Sequence, residues 1–383
     1  MYLDTAATTP VRREVLEAMW PYLAGGLEGA FGNPSSRHEA GERAAVALAA
    51  ARESIAGSLG CRPGEVILTS GGTEGDNLAV IGIALAAPRD RRHLVISPIE
   101  HEAVHESADH LRRLHGVEIT ELPVASDGLI APDDLAAALR PDTAVVSVLH
   151  ASNEIGTVQP IAELAAVARA RGIPFHTDAV QSAGWLDVGL DALGVDALTI
   201  AGHKLGAPKG VGALAVRGGI PLEPLLHGGG QERGRRSGTE NVAGAVGLAV
   251  ALDLARAERA DRDRVRAVRD AVIDGVLAEV PGAMLTGSRT RRLPNHASFC
   301  FPGTSGEGVL LELERRGITC SSGSACAAGD DEPSPVLLAL GIAPEVAQTS
   351  VRMTFGADAG LDDVPRIVAA TRDAVESLTR LRS

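Results

Sequence analysis

Residues 174–204 read PFHTDAVQSAGWLDVGLDALGVDALTIAGHK, with two short β-rich runs, Pro174–Thr177 and Ala197–Ile200, on either side of a longer segment. Each run is followed by an ionisable residue, Asp178 after the first and Lys204 after the second. Short β-rich runs separated by longer segments are typical of βαβ units around a mostly parallel sheet. This stretch therefore predicts an α/β fold.

The same alternation extends from about residue 65 to residue 217. Several runs are almost continuously apolar, which is typical of strands covered on both faces. The remaining predicted strands are Val66–Thr69, Leu94–Ser97, Ala144–Leu149 and Val211–Val216. The spacing of apolar residues predicts helices over Glu39–Leu59, Ile161–Arg171 and Ala243–Asp270.

A change in composition after about residue 258 predicts a second domain. The sequence becomes charged and helical there, and a further strand is predicted at Ala297–Phe301. We expect a large, mostly parallel domain over 14–258 and a smaller α+β domain built from 1–13 and 259–383. Met1–Arg13 is predicted to be an extended strand that packs against the C-terminal domain.

Composition narrows the classes of function. The net charge of −13 opposes binding to a phosphate backbone, so we expect no direct contact with nucleic acid. The apolar stretches fall short of the roughly 20 residues that span a bilayer, and no basic-then-apolar leader precedes them, so we expect a soluble cytoplasmic protein. The four cysteines form no C-x-x-C pair, which predicts neither a metal site nor a redox dithiol.

Polar residues and a glycine-rich turn follow five of the predicted strands. Ligands of open parallel sheets bind beyond the carboxyl ends of the strands, so these residues should lie together at that edge of the sheet. They are Ser70, Gly71, Gly72, Thr73, His101, Asn153, Asp178, Gln181, His203 and Lys204.

Taken singly, most of these residues allow an ordinary structural role as well. The glycine-rich turn before Thr73 could bind an anion through backbone N–H groups, or could be a plain turn that Thr73 caps. It matches neither a Walker A loop nor a dinucleotide fingerprint. Asp178 could cap the next helix or hold a ring nitrogen protonated, and His101 could cap a helix or stack on a ring and move protons.

Lysine is scarce in this chain, and both lysines lie in AGHKLGAPKG, residues 201–210. The other basic residues are arginines, which stay protonated, whereas a desolvated lysine can lose its proton and form a Schiff base. Lys204 lies at a strand end, while Lys209, among Gly and Pro, contributes charge or is incidental. Together with an acid for a pyridinium nitrogen and a phosphate cradle, Lys204 indicates pyridoxal phosphate (PLP).

Motifs along nearly the whole chain resemble those of cysteine desulfurases in the PLP-dependent class V aminotransferase family. The motifs, in order, are YLDTAATTP, FGNPSSRHEAG, TSGGTEGDN, HASNEIGTVQPI, HTDAVQSAG, AGHK, HGGGQERGRRSGTEN, SSGSACAAG and SVRMTFG. The SSGSAC motif resembles the long-loop group of that family. The resemblance implies PLP-dependent transferase fold type I.

It also implies roles for individual residues. Lys204 would hold PLP covalently, Asp178 would pair with the ring nitrogen, Gln181 would bond the ring hydroxyl, and His101 would stack on the ring and help to move protons. Gly72, Thr73 and His203 would hold the phosphate, joined by Thr239 of the neighbouring subunit in a homodimer. Asn153 would contact both the cofactor and the substrate. Asn153 and Arg352 would bind the substrate carboxylate, Arg352 by bidentate hydrogen bonding. Ala201 stands where many relatives place a serine on the phosphate.

Cys326 carries the distinguishing chemistry that the resemblance implies. On its own it could be a small buried hydrophobic residue, but the matching cysteine of the family is the nucleophile. L-Cysteine would become L-alanine, leaving a persulfide on Cys326 that passes to an acceptor protein. Iron–sulfur cluster assembly, tRNA thiolation and DNA phosphorothioation all draw on such enzymes. Cys320 would be structural.

Two other functions stay open from the sequence. A selenocysteine lyase, or another PLP-dependent aminotransferase or lyase, would keep the cofactor and change the reaction. A non-catalytic scaffold or phospho-ligand-binding protein would lack bound PLP.

Overall fold

The computed structural model describes residues 1–24, 30–258, 261–323 and 332–380. Within these ranges seven strands form one sheet in the order β1-β7-β6-β5-β4-β2-β3. Strand β7 runs antiparallel to both of its neighbours, and the other pairings are parallel. The strands are β1 Val66–Thr69, β2 His93–Ile96, β3 Glu118–Glu121, β4 Thr143–Ser147, β5 Phe175–Asp178, β6 Ala197–Ala201 and β7 Gly212–Val216.

The predicted strands are confirmed to within two residues at each end. Strand β3 was not predicted, because its EITE segment has no apolar run and lies half-exposed at the sheet edge. The six other strands are fully buried, in agreement with helices on both faces.

A second sheet, antiparallel throughout in the described part of the chain, has the order β10-β9-β8. Its strands are β8 Met284–Leu285, β9 His296–Cys300 and β10 Ser350–Thr354. It packs with helices around an apolar cluster of its own, which includes Val272, Phe299, Val351 and Ile367. The prediction of a mostly parallel sheet followed by a smaller α+β unit is therefore confirmed.

The helices surround these two sheets. They are α1 Arg13–Leu23, α2 Glu39–Ser58, α3 Gly72–Ala86, α4 Glu102–His115, α5 Pro132–Ala138, α6 Ile161–Arg169, α7 Leu190–Leu193, α8 Val242–Ala257, α9 Asp261–Glu279, α10 Gly306–Arg315, α11 Pro335–Ala339, α12 Pro344–Ala347 and α13 Val364–Arg380. None of the described helices is long and apolar enough to cross a membrane.

The single helix predicted over Ala243–Asp270 is wrong, because two helices, α8 and α9, cover that range. Helix α8 buries Leu248 and Leu252 in the core of the large sheet, whereas α9 buries Val265 and Val272 in the core of the small one. The two helices therefore belong to different apolar cores.

The N-terminal segment joins the two units. Leu3 exchanges backbone hydrogen bonds with Thr319 and Thr354, each 2.8 Å long, and Thr9 N donates to His203 O at 2.9 Å. The predicted packing against the C-terminal part is present, but the predicted continuous strand is not. Only isolated bridges form, at Tyr2 and Asp4, because the chain turns after Asp4 to reach the large sheet.

Candidate active site

A cavity of about 780 Å³ lies at the carboxyl ends of the parallel strands. Its lining includes nine of the residues that the sequence analysis singled out: Gly72, Thr73, His101, Asn153, Asp178, Gln181, His203, Lys204 and Arg352. Thr239 is exposed and is not among the lining residues of the described chain. Cys326 lies outside the described residues. The structure thus brings most of the predicted site together within one subunit.

Asp178 is the last residue of β5 and provides a buried carboxylate at the cavity. Its Oδ1 accepts a hydrogen bond from Val180 N at 2.8 Å. Burial raises the pKa of Asp178, while the nearby His101 and Lys204 oppose that rise. A cationic ring nitrogen beside Asp178 would favour the charged carboxylate further.

Helix α3 points its N-terminus at the same cavity. The first N–H groups of a helix lack intrahelical acceptors, and the helix dipole attracts anions there. A Cβ at Gly72 would lie 2.9 Å from Val180 Cγ2, so a side chain at this position would need Val180 to move. Glu74 stabilises the turn, accepting hydrogen bonds from Ser70 N at 2.8 Å and from Arg236 Nε at 2.7 Å.

Two basic residues follow β6 in a short helical turn, Gly202–Lys204. His203 Nδ1 lies 3.2 Å from Thr8 Oγ1, and burial, with help from both lysines, lowers the pKa of His203 to about 4. A neutral imidazole can donate one N–H to a phosphate without adding charge.

The amine of Lys204 donates hydrogen bonds to the backbone carbonyls of Ala6 and Ala7. Gln181 Nε2 donates to the same Ala6 carbonyl at 3.0 Å. The N-terminal segment therefore forms one wall of the site. These contacts of the YLDTAATTP motif were not predictable from the sequence, because backbone carbonyls of alanine leave no side-chain signal.

Arg352 lies on β10 and brings a guanidinium from the small sheet to the cavity. Its side chain is almost completely buried, and Nη1 donates to Asn153 O at 3.1 Å. His296 Nε2 lies 3.0 Å from that same carbonyl, and this second contact helps to hold the backbone at Asn153 in place. Arg352 of the small unit and Asn153 of the large unit line the same cavity, where the two side chains can bind a carboxylate between them.

Two further carboxyls at this cavity were missed. Asp76 and Glu100 line it, both are almost completely buried, and each has one oxygen without a hydrogen-bond partner in the described chain. Burial raises the pKa of each well above its usual value, and the charge of Asp178 raises it further. Asp76 was not predicted as a site residue because it lies inside helix α3, after the glycines of TSGGTEGDN.

A buried histidine lies beneath these acids. His176 contacts Ser147 Oγ at 2.9 Å and Thr199 Oγ1 at 3.0 Å, and burial lowers its pKa to about 3. Its Nε2 is 3.6 Å from Asp76 Oδ1, but burial favours the neutral form of both groups. The pair is therefore not an ion pair.

The three cysteines that the structure describes are unreactive by environment. Burial raises the pKa of Cys61 and Cys300 to about 11 and that of Cys320 to about 12. A thiolate is the nucleophilic form, so these thiols have almost none of it near neutral pH.

Residues 1–367 match the family model described as aminotransferase class-V. The chain belongs to this family. The cysteine desulfurase IscS of Dictyoglomus turgidum is 45% identical over 379 residues, covering 99% of this chain and 95% of that protein. A solved structure named NifS-like protein has a TM-score of 0.91 at 32% identity and covers 99% of this chain and 100% of that one. Another, of SspA in complex with cysteine, has a TM-score of 0.80 at 36% identity, with coverage of 92% and 98%.

Family membership identifies the chain as a PLP-dependent enzyme of fold type I. The residues present fit that cofactor. Asp178 offers a buried carboxyl group for the ring nitrogen, the start of α3 offers a cradle that a side chain at Gly72 would fill, and Lys204 offers a primary amine at the same cavity.

Proposed function

We propose that this chain is a cysteine desulfurase, which converts L-cysteine to L-alanine and transfers the sulfur through Cys326. The observation that carries the proposal is the single cavity in which Lys204, Asp178 and Arg352 meet. It offers an amine, a buried anion and a carboxylate-binding guanidinium, and the SSGSAC motif that contains Cys326 begins at Ser321 in the small unit. The similarity to proteins named cysteine desulfurase supports the same activity.

PLP, when bound, withdraws electrons from the α-carbon of the substrate. Asp178 would keep the ring nitrogen charged, Gln181 would bond the ring hydroxyl, and His101 would contact the ring. Gly72, Thr73 and His203 would hold the phosphate.

A second group of residues would handle the substrate. Arg352 and Asn153 would hold its carboxylate, and the Lys204 amine in its unprotonated form would take the proton that leaves the α-carbon. The Cys326 thiolate attacks the substrate sulfur, so an S–S bond forms and the Cβ–S bond breaks. The electron pair of the broken bond stays on the carbon skeleton, which takes up protons and leaves as alanine.

We further propose a homodimer in which Thr239 of each subunit completes the phosphate site of the other. The exposure of Thr239 away from its own cavity supports this arrangement. The Arg236–Glu74 ion pair ties the loop that carries Thr239 to the first turn of α3.

The domain limits of 14–258, and 1–13 with 259–383, are proposed on the basis of the two separate apolar cores. The sulfur acceptor is proposed to be a cytoplasmic protein of iron–sulfur cluster assembly, tRNA thiolation or DNA phosphorothioation.

The test compares Cys326→Ala with Cys320→Ala as a matched control. With a thiol reductant present to release sulfide from the persulfide, both variants should keep the yellow cofactor and only Cys326→Ala should lose sulfide release from L-cysteine, because burial raises the pKa of the Cys320 thiol to about 12. Full turnover by Cys326→Ala would exclude the persulfide route. Selenocysteine as a parallel substrate separates a desulfurase from a selenocysteine lyase. Alanine that forms with a thiol reductant present but without sulfide would indicate a different reaction.

A further inference from the structure

The guanidinium of Arg352 has an ionic partner on the side away from the cavity. Nη2 lies 2.8 Å from Asp4 Oδ1, while Nη1 donates to the carbonyls of Asn153 and Gly323 at 3.1 and 3.3 Å. Nε has no hydrogen-bond partner in the described chain. One edge of the guanidinium therefore binds a carboxylate, and the other binds only neutral carbonyls.

Asp4 is itself fixed by several contacts. Its Oδ2 accepts a hydrogen bond from Ser321 Oγ at 2.8 Å, and its backbone forms a bridge with Thr354 of β10. Ser321 in turn pairs with Arg352 through the backbone. The carboxylate thus has both oxygens engaged and little freedom to rotate.

Only one side of the Arg352 guanidinium, the side of Nη1, faces the cavity. Of the described residues, its lining includes Arg352, Asn153 and Gly323 but neither Asp4 nor Ser321. A carboxylate that enters the cavity would meet the Nη1 side, where only backbone carbonyls compete for it. Asp4 would remain on Nη2.

Burial makes this support necessary, because removing the counter-charge of a buried guanidinium leaves an uncompensated charge, which is costly. Glu154 lines the same cavity and interacts electrostatically with Arg352. With Asp4 neutralised, Glu154 would draw the guanidinium away from an incoming substrate.

We propose that Asp4, with Oδ2 fixed by Ser321, is a positioning residue for substrate carboxylate recognition and acts through Arg352. This inference rests on the proposed function, in which Arg352 binds the carboxylate of the substrate amino acid. Its consequence is selective, because only ligands that carry a carboxylate depend on Asp4.

The experiment titrates the PLP absorption band of the holoenzyme with L-alanine and, separately, with ethylamine, which has the same amine and no carboxylate. The variants are Asp4→Asn, which keeps the shape and removes the charge, Asp4→Ala and Ser321→Ala. The control is Glu258→Gln, which weakens another ion pair of the N-terminal segment, the 2.6 Å contact of Arg12 with Glu258.

A hydrogen bond to a charged group contributes enough to change an equilibrium by about tenfold or more. We expect the Kd for L-alanine to rise about tenfold in Asp4→Asn, more in Asp4→Ala and about threefold in Ser321→Ala. The Kd for ethylamine, and both constants in Glu258→Gln, should stay within about twofold. KM for L-cysteine should follow the L-alanine constant, with kcat changed much less.

An equal loss of L-alanine and ethylamine binding would mean that Asp4 is merely structural and would overturn the inference. Unchanged L-alanine binding in the Asp4 variants would overturn it as well. A wild-type band that responds to neither L-alanine nor L-cysteine would instead refute the proposed function, and the inference with it.

Discussion

Asp76→Asn offers a sensitive probe of the buried acids, because this change removes an ionisable group and keeps the shape of the side chain. Asp76 is almost completely buried, and its Oδ1 has no hydrogen-bond partner in the described chain. Burial and the charge of Asp178 raise its pKa well above 3.8, against a weaker opposing contribution from Thr199.

The sign follows from proton linkage. A carboxyl with a raised pKa in the folded state stabilises the fold fully below its unfolded pKa of about 4, and that stabilisation is lost as the pH rises through the folded pKa. Within that window the loss is about 1.4 kcal/mol per pH unit. The asparagine that replaces Asp76 cannot ionise, so the variant should gain stability relative to the wild type as the pH rises.

The assay is urea unfolding of cofactor-stripped wild type and Asp76→Asn at pH 5, 6, 7 and 8. The free energy of unfolding of the variant relative to the wild type should rise by up to about 1.4 kcal/mol per pH unit, and then level off above the folded pKa. Asp109→Asn is the control, because Asp109 is paired with Arg112 and Arg113, which lower its pKa, and it stays charged throughout this pH range. A pH-independent difference between wild type and Asp76→Asn would refute the reasoning.

Other variants test the cofactor site. Lys204→Arg keeps the positive charge but should abolish covalent PLP attachment, seen as loss of the absorption band after gel filtration, whereas Lys209→Arg should keep it; a retained band in Lys204→Arg would contradict the role of the amine. Gly72→Ala places a Cβ 2.9 Å from Val180 Cγ2 and should weaken PLP binding, measured by fluorescence titration, with a stability cost of about 1–3 kcal/mol. Gly57→Ala is its control, since a Cβ there meets nothing within 4 Å, and it should stabilise α2 by about 0.5–1 kcal/mol. Equal PLP affinity in Gly72→Ala and wild type would show that the phosphate site accommodates the added methyl group, which would contradict this prediction.

Strand ends were predictable because polar residues interrupt apolar runs there. Asp178 and Lys204 stand out for that reason, and the structure places both at the predicted edge of the sheet. The break between α8 and α9 was not predictable from helical spacing, since both halves keep that spacing. It coincides with the predicted domain boundary near residue 258, and the two helices are buried in different cores.

Contacts made by the backbone or through distant pairing were not visible in the sequence. The Ala7 carbonyl reaches Lys204 across 197 residues, and Asp4 reaches Arg352 across 348. Nothing in the sequence around Asp4 indicates a role, because its ionic partner, Arg352, lies on β10. Such pairs need tertiary structure to be found.

Sulfur transfer to Cys326 can be tested most directly by mass spectrometry of the protein after a brief reaction with L-cysteine and without an acceptor. We expect one additional sulfur atom on the peptide that contains Cys326, and none on peptides with Cys61, Cys300 or Cys320, whose thiols burial keeps protonated. Alanine formation without sulfur on Cys326, or sulfur on Cys320 instead, would contradict this account.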